Sequence, residues 1–117
     1  MTKQIIAQQG EVLIIKVDSL PDTTTKPVEK NHQGLAIVSH SENGNHHVLT
    51  GGVDVLERTE KVPAGMRVLQ ALLKEPQQLK QDAQVPHEPV NLPPGFYEFR
   101  ISREYDPFSE QARIVAD

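Results

Sequence analysis

The sequence predicts an all-β domain, a compact small barrel or sandwich of short antiparallel strands. Three observations carry that prediction. Short β-branched or aromatic runs recur at spacings of about ten residues, the rhythm of small all-β folds. Nine Pro and seven Gly punctuate the 117 residues between those runs. Near the C-terminal end, Tyr97, Phe99 and Ile101 alternate with Glu98, Arg100 and Ser102, the pattern of a half-buried strand.

The elements follow in order. Ile5-Ile6-Ala7 is a short apolar piece that can pair, across Gln8-Gln9-Gly10, with the run Glu11–Val17. In that run Leu13, Ile15 and Val17 point to one face, and Val12 and Ile14 to the other. A strand apolar on both faces is expected to be covered on both sides. Leu20-Pro21-Asp22 closes it, and residues 21–34 show no period, so they read as a loop. Leu35–His40 forms the next strand. Asn43-Gly44 is the strongest hairpin signal in the chain, with His46-His47-Val48-Leu49 as the returning strand. Gly51-Gly52 permits a bend before a short strand over 53–58.

The middle supports two readings. Met66, Leu69, Leu72 and Leu73 fit helical spacing, and a short helix around 66–82 is the alternative. Pro63-Ala64-Gly65 and Pro76 leave little room for one, so a strand over 66–73 is expected. The polar stretch Gln77–Gln84 reads as a loop or one helical turn. Pro86, Pro89, Pro93 and Pro94 exclude helix from the following segment. Pro94-Gly95 suits a turn, with Val90-Asn91-Leu92 as lead-in to or partner of a strand over 96–103. Ala112–Val115 completes the set as a final short strand. No composition shift marks a boundary, so residues 1–117 read as a single domain.

Composition narrows the function classes. No apolar run reaches the 18–20 or so residues of a membrane span. With no basic, apolar leader and no Cys, a cytoplasmic location is expected. Zero Cys also excludes a disulfide framework, thiolate-bound zinc and a Cys nucleophile. A formal net charge of -4 and 4% aromatic residues argue against nucleic-acid binding. Gly51-Gly52 is not followed by the helix and Lys of a phosphate loop, and no Gly-x-Ser-x-Gly elbow exists. Ser39-His40-Ser41 resembles part of a triad only on paper, since strand neighbours point apart. Arg100, Arg103 and Arg113 interleave with Glu98, Glu104 and Asp106, which favours local ion pairs over a basic field.

The five histidines are His32, His40, His46, His47 and His87. Neutral imidazole is the commonest metal ligand, and His40, His46 and His47 surround one expected hairpin. Adjacent His46 and His47 point to opposite faces of a strand unless a bulge intervenes. The metal reading therefore takes His47 with His87, completed by His46 or a carboxylate such as Glu88, around a divalent ion such as zinc. The other reading makes them ordinary surface-turn histidines.

His87-Glu88-Pro89-Val90-Asn91-Leu92-Pro93-Pro94-Gly95-Phe96-Tyr97, then Arg103-Glu104-Tyr105-Asp106-Pro107, then Arg113-Ile114-Val115-Ala116-Asp117, resembles a family of small uncharacterised bacterial and phage-associated proteins. Its ending pattern is H-x-P-I-x-L-P-P-G-x-Y, R-E-Y-x-P and R-x-V-x-D, and an upstream G-H-x-H-V element aligns with Gly44–Val48. The resemblance places His47 and His87 on family histidines and implies an association with phages or mobile elements. Asn45 stands where the family has a histidine, which removes a ligand unless His46 or His40 replaces it. No activity comes with the resemblance. The expected function is a non-enzymatic interaction or structural module, without cofactor, that pairs with a protein partner or a second copy. The alternative is a His-based metal-binding protein or metal-dependent enzyme.

Overall fold

The structure, a computed structural model, describes residues 3–40, 46–81 and 88–102. Ten strands follow one another in those residues: β1 (Lys3–Gln9), β2 (Val12–Val17), β3 (Thr25–Pro27), β4 (Ala36–Ser39) and β5 (His47–Leu49), then β6 (Leu56–Arg58), β7 (Met66–Leu73), β8 (Gln77–Gln81), β9 (Val90–Leu92) and β10 (Gly95–Ser102). They form two antiparallel sheets, one of six strands in the order β1-β2-β10-β7-β6-β3 and one of four in the order β4-β5-β8-β9. The fold is all-β and sandwich-like, and neither sheet closes into a barrel. Among the described residues there is no helix, hence none long and apolar enough to cross a membrane.

The core lies between the sheets. Register places Phe99 opposite Ile14 and Leu69, and Ile101 opposite Val12, so these side chains share the inner face of the large sheet. Ala36, Val38, Leu49, Leu79 and Leu92 meet them from the small sheet. Tyr97 is buried with them and donates its hydroxyl to the Pro93 carbonyl at 2.6 Å. That bond satisfies the polar end of a ring that otherwise contributes apolar area.

The hairpin of β1 and β2 forms, but Gln8 and Gln9 belong to β1, so Gln9 stands opposite Val12 and the connection is Gly10-Glu11 rather than Gln8-Gln9-Gly10. Both faces of β2 are buried, through Val12 and Ile14 on one and Ile15 and Val17 on the other. The strand over 66–73 is present with those bounds, and the helical alternative is not. Val68, Leu69, Gln70 and Ala71 are all buried in succession, as a strand held between β10 and β6 requires.

Five expectations are corrected, in whole or in part. Gln77–Gln81 is strand β8, not a loop, because Leu79 fills the core while β5 and β9 pair its backbone on either side. The 21–34 loop contains β3, whose three residues pair with β6 and place Pro27 on a sheet edge where its missing N–H costs no ladder bond. The strand expected at 53–58 starts only at Leu56. Val90–Leu92 leads into β10 but pairs with β8 in the other sheet, since the chain crosses between sheets at Pro93-Pro94. The solvent face assigned to Glu98 is also wrong in part, for Glu98 is fully buried. The Asn43-Gly44 turn and the strand at 112–115 lie outside the described residues.

Candidate functional site

Two of the expected site histidines fall among the described residues, and His87 lies outside them. His47 opens β5 and is 1% exposed. Antiparallel pairing places it opposite Ser39 at the end of β4, where the register shifts by one residue. The tip of the β1–β2 hairpin reaches the same spot from the large sheet and supplies Gln9 and Glu11.

The contacts form one chain of hydrogen bonds. Gln9 donates both amide hydrogens to backbone carbonyls, of Leu79 at 2.9 Å and Glu88 at 2.8 Å. Its Oε1 therefore faces His47 Nδ1 as an acceptor, at 2.8 Å. His47 Nε2 meets Glu11 Oε2 at 3.2 Å, and the Ser39 hydroxyl donates to Glu11 Oε1 at 2.6 Å. The two ring nitrogens thus face oxygen atoms of two different residues of the β1–β2 hairpin tip. The His47 bond, with a smaller contribution from Ser39, holds the Glu11 carboxyl down at about 2 against the opposing effect of burial.

This geometry excludes the hydrolytic reading of the same residue types. A Ser-His-acid nucleophile needs its hydroxyl bonded to the imidazole. Here the carboxylate stands between them, and the hydroxyl and the imidazole each bond to a different oxygen of Glu11. Ser39 and His47 are also closed to solvent. What the arrangement does is tie the hairpin tip of one sheet to two strands of the other.

His46 lies on the other side of the chain, with its ring 4.9 Å from that of His40 in an edge-to-face contact. His40 Nε2 in turn sits 3.4 Å from Glu29. Among the described residues no group of three His, Asp or Glu side chains is arranged to hold a metal ion. Sequence reasoning missed Gln9, Glu11 and Ser39 as partners of His47. One signal was available for Gln9, a polar residue on the inner face of a strand next to Ala7, whereas no spacing links Glu11 to a histidine 36 residues away.

A family model described as a domain of unknown function, DUF8820, matches residues 8–102. The chain belongs to that family. No curated protein and no solved structure matches it. The DUF8820 match takes in Gln9, Glu11, Ser39 and His47 together with β2 to β10, so the clamp between the sheets lies within the family's span. The Arg103–Pro107 and Arg113–Asp117 elements of the C-terminal pattern lie beyond it.

Proposed function

We propose that this DUF8820 domain is a non-enzymatic interaction module that works in the cytoplasm as part of a protein assembly, in keeping with the resemblance to phage-associated proteins. One observation carries the reading. The sandwich has a single layer of sheet on each side of its core, and the outer face of the six-stranded sheet leaves Ile5 67% and Leu72 43% exposed. The clustered polar chemistry at His47 is spent inside the fold, on bonds among Gln9, Glu11 and Ser39. Ile15, Val17 and Val68 on that face are buried, so Ile5 and Leu72 are the large apolar side chains there that another protein can cover.

The face is a better candidate than the strand edge beside it. Among the described residues strand β1, of seven residues, is an edge of its sheet, but its register slips between Ile5 and Ala7, and Lys3 stands at its start. A bulge and a charge are the features by which edges avoid pairing.

A photo-crosslinking amino acid placed in turn at Leu72 and at Lys80, an exposed residue of the small sheet, tests the reading in cells. The expected result is a discrete crosslinked species, with a partner or a second copy, from Leu72 and not from Lys80. Equal yields from both positions, or none from either, overturn it.

A further inference from the structure

We infer that His40 and His46 form a two-histidine site for a divalent transition-metal ion, with Glu29 as the carboxylate that orients His40. The site lies on the outer face of the four-stranded sheet and stands or falls independently of the interaction-module reading.

Register brings the two rings together. His40 follows the last residue of β4, and His46 precedes the first of β5. Ser39 pairs with His47, so antiparallel continuation sets His40 opposite His46. Alternation from Ile37 alone would turn His40 into the sandwich. The register shift between Ile37 and Ser39 gives β4 one extra residue, which points Ser39 inward at His47 and His40 outward at His46. Bulges re-aim side chains in this way, often beside functional sites. The result is a half-buried His46 and a His40 side chain that is 46% exposed, both on the face opposite the His47 clamp.

The ring centroids are 4.9 Å apart, with 73° between the planes. An ion about 2.0–2.1 Å from one nitrogen of each ring, with a tetrahedral angle between the bonds, sets the centroids roughly 5 Å apart. The strands therefore hold the rings at the separation that a shared ion requires. Aiming a nitrogen of each ring at one point takes rotation about χ2, a torsion that is broad in histidine.

Glu29 supplies the orienting contact. Its Oε2 stands 3.4 Å from His40 Nε2, and its backbone carbonyl accepts the Ile37 N–H at 2.9 Å, which fastens Glu29 to β4. Metal-bound histidines usually give their second ring N–H to a carboxylate, carbonyl or water, which fixes the tautomer and raises the basicity of the ligating nitrogen. With its proton on Nε2, His40 presents Nδ1 to the ion.

The donor set selects the ion. Imidazoles suit Zn2+, Ni2+ and Cu2+, with Cu2+ bound most tightly, whereas Mg2+ and Ca2+ take oxygen ligands. Two protein ligands are fewer than the four of a structural zinc site, so water fills the other positions. His47 has no part in this site, because it points into the sandwich, where Gln9 and Glu11 meet its two ring nitrogens.

Nuclear magnetic resonance of the untagged full chain tests the inference. Substoichiometric Cu2+ should broaden the imidazole signals of His40 and His46 and leave those of His32 and His47 sharp. Calorimetric titration should give one Cu2+ per chain and no binding of Mg2+. His40→Gln and His46→Gln should each weaken Cu2+ binding at least about tenfold, while His32→Gln has no effect. Glu29→Gln should weaken it about tenfold with the metal-free melting temperature unchanged, and Glu29→Asp should restore part of the loss. Broadening centred on other histidines, or Cu2+ affinity that survives His40→Gln or His46→Gln, overturns the inference. Should a histidine variant fail to fold, the broadening pattern of the native chain decides by itself. Affinity indifferent to Glu29→Gln overturns the orienting role.

Discussion

The side-chain carbonyl of Gln9 and Nδ1 of His47 meet at 2.8 Å, although 38 residues separate them and they sit in different sheets. Gln9 also binds the Leu79 and Glu88 carbonyls, so one amide joins the β1 edge to three segments of the small sheet or its approach. A group with that many buried partners is hard to replace. Each lost bond contributes little, but each carbonyl left unbonded carries the larger penalty.

Gln9→Leu should therefore destabilise the domain by roughly 2–4 kcal/mol, since two carbonyls and one imidazole lose their partner. Urea denaturation reads the difference. A loss below about 1 kcal/mol would mean that water replaces the amide.

Acid should weaken the fold through Glu11. Its folded-state value lies near 2, below the ordinary 4.5, so the stabilisation is present above about 4.5 and is lost as the pH falls toward 2. A third of the side chain stays in water, which reduces the contribution to about 1–2 kcal/mol. Denaturation midpoints followed from pH 5 to pH 2 should fall more steeply for the native chain than for Glu11→Gln. Parallel curves would remove Glu11 from the clamp.

Phe99 is fully buried between β2 and β7. Phe99→Ala should cost roughly 3–5 kcal/mol, from lost apolar transfer and the cavity left behind. Thermal or urea unfolding yielding less than about 1 kcal/mol would show that the inner face repacks freely.

Gly51 and Gly52 both have positive φ, at 86° and 64°, yet their surroundings differ. A Cβ on Gly51 would run into the side-chain amide of Gln77, the acceptor for the Thr50 hydroxyl, whereas a Cβ on Gly52 meets open space. Gly52→Ala should cost about 1 kcal/mol for the backbone conformation alone, and Gly51→Ala about 1 kcal/mol more. Equal losses in unfolding experiments would show that Gln77 swings aside without penalty.

Zinc has to compete with Gln9 and Glu11 for the ring nitrogens of His47. The melting-temperature difference between the native chain and His47→Gln should therefore be the same with and without saturating zinc. A zinc-induced rise in the native chain that disappears in His47→Gln would establish His47 as a ligand.

Local pattern alone determined much of this protein. Alternation over 96–102, the doubly apolar run 12–17 and the breakers around 66–73 specify strands, because strand geometry fixes side-chain direction residue by residue. The zero Cys count and mild acidity likewise needed no structure. Pairing and depth belong to the tertiary structure. Gln77–Gln81 is a strand because β5 and β9 flank it, and Val90–Leu92 pairs away from β10 because the chain changes sheets at two prolines. Glu98 reads as a solvent residue by alternation, yet it is fully buried and meets Arg58, two strands away, at 2.8 Å. His47 was legible as a singular residue, but its partners Gln9 and Glu11 arrive from the far end of the chain. Such a meeting depends on how two sheets stack, and no local period encodes that.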